Sequence, residues 1–341
     1  MLGPLGRGGM AQILKGEHEL LGRQVAIKEL LPSSAKDKEA LERFKREAMA
    51  LSGFRHQNIV TLYDLVEKND SLFMVMELVD GPTLAELLRD GPLPPDVAAV
   101  VALKIASALE HAHFARIVHR DIKPSNVMLT RSGEVKLMDF GIARDEGLDA
   151  LTRQGVAIGT PYYMSPEQVT GGEVDSRTDL YSLGVVLYEC LTGDRPFTGA
   201  SAADVFVRVR DGKPRALSKV APHVATQLSK VVKRSMKVKP SARYLDAAAM
   251  QRDLEAYLSR TVHISHSALL LGYLRRRDVV SEAEALSRLT SLELEIVETF
   301  GRPHLRRRGW FGWLVAAAVA LGTGLYFTQP HWLPLLRRFW R

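Results

Sequence analysis

The stretch His119-Arg120-Asp121-Ile122-Lys123-Pro124-Ser125-Asn126, followed by Asp139-Phe140-Gly141, decides the fold that we predict for this chain. Between the two motifs, residues 127–130 and 134–138 have a strand-like composition, and residues 131–133 are typical of a turn. This pattern predicts a hairpin that returns Asp139 to the end at which Asn126 lies. The two side chains would then face one point.

Four side chains of these motifs can serve one reaction, and they lie within a stretch of under twenty residues. Transfer of a phosphoryl group from ATP to an alcohol needs a carboxylate to orient the proton, a cation to offset charge, and oxygen ligands for magnesium. Each motif alone is weak evidence, but both together in this order are specific. We interpret Asp121 as the base or orienting group and Lys123 as the cation. Asn126 and Asp139 are the predicted ligands of Mg²⁺, with Mn²⁺ as the alternative metal.

A glycine-dense segment at residues 6–11 precedes an apolar run that ends at Lys28. Backbone amides can approach phosphate oxygens closely where no side chain intervenes. Taken alone, such a segment is more often an ordinary hairpin turn. Its position one hairpin before Lys28 favours a flap over ATP, with Lys28 holding the phosphates.

Lys28 needs an anion to hold it, and the charged, helix-permissive stretch at residues 36–53 offers one. Glu47 lies close to the apolar face of that predicted helix, so we assign it as the partner of Lys28. The alternative is an ordinary surface charge, and Glu39 and Glu42 are the other candidates. The apolar face is formed by Leu41, Phe44, Ala48 and Leu51.

Together with Ser165-Pro166-Glu167 and the run from Asp179 to Gly184, these motifs resemble, over residues 1–260, the bacterial group of eukaryotic-type (Hanks-type) serine/threonine protein kinases. The resemblance implies a two-lobed α+β fold, with a small β-rich lobe at about residues 1–80 and a larger helical lobe at about 81–260. Lys123, two places after Asp121, resembles the serine/threonine class. The implied ATP-binding residues are Gly6, Gly8, Gly9, Ile13, Ala26, Lys28, Met76, Glu77 and Val79.

The resemblance also implies scaffold roles and two substrate or control positions. Glu167 should pair with Arg243, and Asp179 should accept hydrogen bonds from the catalytic-loop backbone. Thr160 resembles the threonine of the substrate pocket. Within the loop at residues 144–155, Thr152 is a candidate autophosphorylation site, because its phosphate could pair with Arg120. The alternative is an unmodified loop residue.

Composition restricts the compartment and the partners. A single cysteine, Cys190, excludes an intramolecular disulfide and agrees with a reducing compartment. We expect it to fill space inside an apolar helix. The formal net charge is +7, and basic residues cluster at 275–277 and 302–308. We read these clusters as juxtamembrane and expect no nucleic-acid partner.

Residues 310–327 contain no charged side chain. Eighteen residues at about 1.5 Å each span about 27 Å, close to the hydrocarbon thickness of a bilayer. We therefore predict a transmembrane helix at 310–328, a single-pass protein of the inner membrane and a short non-cytoplasmic tail at 329–341. The need for ATP places the kinase domain in the cytoplasm. The alternative is a buried C-terminal helix of a soluble domain.

Residues 261–309 would form a helical juxtamembrane linker that docks on the kinase domain or pairs with a second copy in a homodimer. Ser281 and Glu284 have the spacing of a capping box, which predicts a helix start. The small residues Ala316, Ala320 and Gly324 are a weak indication of helix pairing. The expected apolar stripe of the linker helix is Leu286, Leu289, Ile296 and Phe300.

The predicted function is transfer of the γ-phosphate of ATP to serine or threonine hydroxyls of protein substrates, with autophosphorylation, in membrane-associated signalling. The competing hypothesis is a membrane-tethered pseudokinase that binds nucleotide without transfer. Its support is Ala11, which stands where the family usually has a third glycine, and the short segment before Gly6, which predicts a clipped first strand or a misassigned start. Kinase chemistry on a small molecule is a third reading.

Overall fold

An antiparallel sheet forms the first part of the chain, in a computed structural model that describes residues 2–8, 10–31, 34, 37–68, 71–141 and 161–299. Its strands are β1 (Gly3–Arg7), β2 (Ala11–His18), β3 (Arg23–Leu30), β4 (Leu62–Lys68) and β5 (Ser71–Glu77). Their spatial order is β1-β2-β3-β5-β4, so β3 is central. Lys28 on β3 lies opposite Ile13 on β2 and Met74 on β5. The central position holds Lys28 from both sides.

One long helix, α1 (Lys38–Ser52), accompanies the sheet where the sequence predicted a helix. It begins at residue 38 because the Asp37 carboxylate accepts a hydrogen bond from the Glu39 N–H and so caps the first turn. Leu41 was expected on the apolar face but is only half-buried, and Ala40 is buried instead. The buried face consists of Ala40, Phe44, Ala48 and Leu51.

The second part of the chain is mainly helical, as predicted. Two of its helices, α3 and α5, lie at the centre, and Cys190 of α5 is only 1 % exposed, as expected of a space-filling residue. The helices are α2 (Leu84–Leu88), α3 (Pro95–Phe114), α4 (Pro166–Thr170), α5 (Ser176–Thr192), α6 (Ala202–Asp211), α7 (Leu217–Val220), α8 (Thr226–Ser235) and α9 (Ala247–Thr261).

Among the helices of the described residues, α3 alone is long and apolar enough to cross a membrane. Its most apolar window has a mean hydropathy of 1.3, and 67 % of that window is buried inside the protein. A helix covered to this extent is typical of a protein core. The transmembrane helix predicted at residues 310–328 lies outside the described residues.

The predicted hairpin between the two deciding motifs is confirmed. Its strands are β6 (Val127–Leu129) and β7 (Val135–Leu137), and Met128 pairs with Lys136 in antiparallel register. Just beyond the ladder, the Met138 N–H donates to the Asn126 carbonyl at 2.9 Å. The hairpin therefore brings the residue before Asp139 against Asn126.

Within the described residues, three more helices follow α9, and the compact unit runs from Met1 to Val297. They are α10 (His266–Arg276), α11 (Glu282–Leu286) and α12 (Ser291–Thr299). The single helix predicted from Ser281 onward is wrong, because Thr290 and Glu293 cap each other and start a second helix. Leu286 of the expected stripe is 51 % exposed, Leu289 is buried, and Phe300 lies outside the described residues.

Helices α10 and α11, with the segment between them, pack on the turn of the β6–β7 hairpin. The Arg131 guanidinium donates to the Glu284 carboxylate at 2.5 and 3.2 Å and to the Val279 carbonyl at 2.5 Å. Arg277 contacts Asp90 and donates to the Leu87 carbonyl at the end of α2. These contacts join residues 277–284 to the end of α2 and to the hairpin that lies between the predicted metal ligands.

Replacement of Gly133 by alanine is expected to loosen this junction. Gly133 has φ +79°, and a Cβ there would collide with the main-chain oxygen of Ser267 on α10. We expect a loss of unfolding free energy of more than about 1 kcal/mol, because the backbone strain and the collision add. Gly171→Ala is the matched control, since Gly171 has φ +69° and open space around it. Equal losses in urea denaturation would show that α10 does not press on the turn.

Candidate active site

The catalytic-loop residues predicted from the first motif lie together. The Lys123 Nζ donates to the Asp121 Oδ2 at 2.7 Å. The Asn126 Nδ2 donates to the main-chain oxygen of Asp121 at 2.8 Å and to its Oδ2 at 3.2 Å. A cation and an amide are thus arranged around the carboxylate of the base candidate. Both bonds of Asn126 use its nitrogen, so they do not engage the amide oxygen that a metal would require.

Lys28 joins the sheet to the hairpin. Its Nζ lies 2.7 Å and 3.0 Å from the two carboxylate oxygens of Glu47 on α1, and 2.9 Å from Oδ1 of Asp139. Glu39, one of the other candidates, instead pairs with Arg43 on the same helix. Three elements that are distant in sequence therefore meet at one ammonium group.

Burial and charge act in opposite directions on this cluster. Burial opposes the charge of Lys28, but Asp139 and Glu47 outweigh it and raise the pKa of the lysine. Desolvation by the surrounding protein likewise opposes ionisation of Asp139, although its side chain is partly exposed, yet the attraction of Lys28 lowers its pKa. Burial raises the pKa of Glu47 against the attraction of Lys28. The cluster therefore keeps a cation and an ionised Asp139 side by side.

Asp179 of α5 supports the catalytic loop, as the family resemblance implied. Its carboxylate accepts the main-chain N–H groups of His119 and Arg120, each at 2.8 Å, and lies 2.8 Å from Nε2 of His113. Arg120 has φ +64°, a left-handed conformation that costs a non-glycine residue about 1–3 kcal/mol. The two hydrogen bonds to Asp179 offset part of that cost.

A second left-handed residue is Asp139 itself, with φ +50°. The next glycine is needed for close approach, because a Cβ on Gly141 would lie 2.8 Å from Cβ of Asp121 and 3.0 Å from the His119 oxygen. The Gly141 N–H donates to that same oxygen at 2.9 Å. The hydrogen bond and the close packing at Gly141 therefore hold the two motifs against each other and maintain the strained backbone.

His119 supports the catalytic loop, a role that the sequence analysis did not predict for it. It is fully buried, its Nδ1 accepts the Asp121 N–H at 3.2 Å, and its Nε2 lies 3.1 Å from the Met138 carbonyl. This pattern requires a neutral ring with the proton on Nε2, in agreement with burial, which lowers its pKa. The ring packs on Phe140 at a centroid distance of 4.4 Å.

The predicted adenine-pocket residues lie on facing strands. Ala26 on β3 is opposite Met76 on β5, and Met76 is buried. The side chain of Glu77 is engaged elsewhere, because it lies 2.6 Å from Nζ of Lys136 and accepts the Thr61 N–H at 3.1 Å. The sequence analysis did not predict this contact of Lys136, although a lysine within an apolar strand is a signal that could have indicated it. Val79 is buried just after the strand.

The described residues on either side of Gly9 include β1 and β2, which pair as an antiparallel hairpin. Gly6 lies on β1 opposite Ile13, and the Gly8 N–H donates to the Ala11 carbonyl at 2.8 Å. Ala11 begins β2 and pairs with Leu30, an extended position where its methyl group causes no backbone strain. The β1 strand is present from Gly3 onward.

Three predicted site residues lie outside the described residues. They are Gly9, Thr152 and Thr160.

The donor set at this site fits magnesium bound with a nucleotide. Among the described residues, no group of three or more His, Cys, Asp or Glu side chains could enclose a metal. Magnesium commonly takes one or two protein oxygens and completes its shell with phosphates and water. The Asp139 side chain is 41 % exposed, unlike that of Lys28 at 14 %, so its carboxylate is accessible to such a ligand.

Comparison with known proteins agrees with this geometry. Residues 1–254 match the sequence model described as the protein kinase domain. The chain belongs to the protein kinase family. It is 46 % identical over 267 residues to the "Probable serine/threonine-protein kinase SCO3848" of Streptomyces coelicolor, an alignment that covers 75 % of this chain and 39 % of the relative.

Two further relatives are similar over the same region. The serine/threonine-protein kinase PrkC of Bacillus subtilis is 39 % identical over 252 residues, covering 74 % of this chain and 39 % of PrkC. PknL of Mycobacterium tuberculosis, also named a serine/threonine-protein kinase, is 41 % identical over 251 residues, covering 73 % of this chain and 63 % of PknL. The chain thus matches about two fifths of the first two relatives.

The Lys28–Glu47 pair can be tested with a matched control on the same helix. Glu47→Gln removes the negative charge and keeps the size of the side chain, so Lys28 is left with Asp139 as its acidic partner. We expect kcat/KM for ATP to fall by about 100-fold, because misplacement of a phosphate-binding group by about 1 Å has that effect. Glu42→Gln, at an exposed position of α1, should retain the wild-type value. Steady-state kinetics at varied ATP would contradict the pairing role if both variants behaved alike.

Proposed function

We propose that this protein is a serine/threonine protein kinase, which transfers the γ-phosphate of ATP to hydroxyl groups of protein substrates. The observation that carries the proposal is the contact of Lys28 with Asp139 beside the Asp121, Lys123 and Asn126 cluster. In this arrangement one cation and one accessible carboxylate lie next to a base candidate. Membership of the protein kinase family supports the same reading.

Each residue of the cluster has a chemical task in this proposal. Asp121 accepts the proton of the attacking hydroxyl as the new oxygen–phosphorus bond forms and the bond to the ADP oxygen breaks. Lys123, hydrogen-bonded to Asp121, offsets negative charge on the transferred phosphoryl group. Lys28, held by Glu47, positions the phosphates of ATP, and Asn126 and Asp139 would hold Mg²⁺. When bound, the metal supplies positive charge to phosphate oxygens.

Most of the rate acceleration would come from positioning and preorganised charge. Arg120 and Asp139, the two left-handed non-glycine residues of this site, are already held in that conformation before substrate arrives. Asp179 holds that loop from α5. Because these groups are already placed, little reorganisation would accompany the chemical step.

The choice of serine and threonine is supported by Lys123 and by the relatives, which are named serine/threonine-protein kinases. We further propose that Thr160 contacts the acceptor hydroxyl and that phosphorylation of Thr152 regulates activity through Arg120. Ala26, Met76, Glu77 and Val79 would line the adenine pocket. Anchoring by residues 310–328 with the kinase domain in the cytoplasm, and pairing into a homodimer, also belong to the proposal.

The proposal is tested by incubating the full-length protein with γ-labelled ATP, Mg²⁺ and a generic acceptor protein. We expect label on serine and threonine of the acceptor and of the kinase, with a labelled peptide that contains Thr152. ATP binding is measured separately by calorimetry. Nucleotide binding without any incorporation under Mg²⁺ or Mn²⁺ would favour the pseudokinase scaffold, and label confined to tyrosine would overturn the assigned class.

A further inference from the structure

A cavity of about 730 Å³ lies in the helical part of the chain, apart from the residues assigned to catalysis. It is lined by Tyr188 of α5, by residues that follow α6, by α7 and α8, and by the segment at residues 236–242. Volumes of this size accommodate a small ligand or several side chains of a peptide. None of the catalytic residues lines it.

Every charged side chain that lines this cavity is a cation. All five are exposed, and none forms an ion pair with an acidic side chain of the described residues. A smaller neighbouring cavity of about 370 Å³ shares Lys213 and Arg215 with it and is also lined by Asp194 and Asp211, whereas Lys233, Lys237 and Lys239 line the larger of the two only. The five cations are Lys213, Arg215, Lys233, Lys237 and Lys239.

The cavity also offers apolar surface between these cations. Leu217, Val232 and Met236 are buried side chains of its lining, and Val238 is 37 % exposed. Apolar surface surrounded by uniform charge is typical of a site that binds an oppositely charged peptide with an apolar anchor.

Hydrogen bonds hold the walls of the cavity in place. The Arg243 guanidinium donates to the carbonyls of Lys237 at 2.7 Å and Val238 at 3.0 Å, and it also binds Glu167. On the opposite wall, the Tyr188 hydroxyl donates to the Arg215 carbonyl at 3.0 Å. A preformed site loses little conformational entropy when it binds a partner.

We infer that this cavity, the basic cavity, docks an acidic peptide segment that carries a large apolar side chain and belongs to a protein substrate. The inference rests on the proposed function for the identity of the partner. Two observations favour a peptide over other anions. First, the cations surround a concavity, whereas a flat membrane surface would require a projecting basic face. Second, Tyr188 is the one aromatic side chain of the lining, and its hydroxyl is engaged in a hydrogen bond, so it is not available to stack on nucleic-acid bases.

The test measures binding without ATP, so that docking and catalysis are separated. The probe is a fluorescein-labelled peptide in which several glutamates flank one leucine, and fluorescence anisotropy with the full-length protein reports its Kd. We expect Lys233→Glu combined with Lys237→Glu to weaken binding by about tenfold or more, and high salt to weaken wild-type binding. The matched control is Arg252→Glu combined with Arg260→Glu, at exposed positions of α9, which should bind as the wild type does.

Two altered peptides define the chemistry of the partner. Exchange of the glutamates for glutamines should abolish binding, and exchange of the leucine for alanine should weaken it by about tenfold. Absence of binding between the wild-type protein and the acidic peptide would overturn the inference. Equal peptide binding by the two double variants would also overturn it. So would a wild-type protein that binds phosphatidylglycerol vesicles but no peptide, with vesicle binding lost in the Lys233/Lys237 variant, because the surface would then be assigned to a membrane.

Kinetics connect docking to the proposed activity. A serine acceptor fused to the acidic segment should have a lower KM than the acceptor alone, and that advantage should disappear in the Lys233/Lys237 variant. Peptide binding without phosphate transfer would contradict the proposed function and leave docking intact. Transfer that gains nothing from the acidic segment would contradict docking and leave the proposed function intact.

Discussion

Asp121→Asn is expected to lower the rate of phosphoryl transfer by about 100- to 10,000-fold, which is the range that a positioned general base contributes. Asparagine has nearly the same shape as aspartate, so Lys123 and Asn126 can keep hydrogen bonds to its side-chain oxygen. It cannot take the proton from the attacking hydroxyl, and it brings no negative charge to Lys123. The effect should therefore fall on kcat, while the KM for ATP changes little.

The measurement is a steady-state transfer assay with labelled ATP, together with calorimetric binding of ATP to the variant. Retained binding with lost transfer would place the defect in the chemical step. Asp64→Asn, in the exposed part of β4, serves as the control for a lost surface carboxylate and should transfer at the wild-type rate. A variant at Asp121 with wild-type kcat would remove that residue from catalysis.

The second large effect is expected on stability, at the buried ion pair of Arg243 and Glu167. The guanidinium lies 2.7 Å and 2.6 Å from the two carboxylate oxygens, and the Arg243 side chain is fully buried while that of Glu167 is 8 % exposed. Arg243→Met should lower the unfolding free energy by about 3–5 kcal/mol, because it leaves a buried carboxylate without its cation. Three main-chain carbonyls also lose their donor, those of Lys237, Val238 and Arg177.

A surface pair provides the contrast. Nη2 of Arg210 lies 3.4 Å from Oδ1 of Asp211, and the two side chains are 58 % and 52 % exposed. Arg210→Met should therefore lower the unfolding free energy by less than about 1 kcal/mol. Urea unfolding followed by circular dichroism compares the two variants with the wild type. If Arg243→Met were as stable as Arg210→Met, the buried pair would not contribute to the fold.

The same pair predicts a pH dependence. Burial opposes ionisation of Glu167, but hydrogen bonds from Arg243 and from the Thr178 hydroxyl outweigh it and lower the pKa of the carboxyl group. A folded-state pKa below the unfolded value means that the stabilisation is complete above the unfolded pKa and is lost as the pH falls through the folded one. The wild type should therefore lose stability in acid over that range, and Arg243→Met should show a smaller acid loss.

Features encoded locally in the sequence could be predicted. The β6–β7 hairpin followed from two short apolar runs around a turn, and its return of Met138 to Asn126 is confirmed. The period of α1 placed Glu47 close to the apolar face of the helix. The family resemblance favoured it over Glu39 and Glu42 as the partner of Lys28, and the contact is present. The Glu167–Arg243 pair is also present, although the family resemblance rather than any local pattern implied it.

Features that depend on tertiary packing could not be predicted in this way. The left-handed backbone of Arg120 and Asp139 carries no local signal, since non-glycine residues adopt it only where surrounding contacts hold them. The docking of residues 277–284 on the hairpin turn depends on pairs such as Arg131 and Glu284, which are 153 residues apart. The break between α11 and α12 could have been found, because Thr290 and Glu293 have the capping-box spacing.

The most direct test of the central claim is a crystal structure of the protein with Mg²⁺ and a non-hydrolysable ATP analogue. Our account predicts that the metal is bound by Asn126 and Asp139, that Lys28 contacts the phosphates, and that the terminal phosphate faces Asp121. The claim would be contradicted by an analogue bound elsewhere, or by a metal that contacts neither Asn126 nor Asp139.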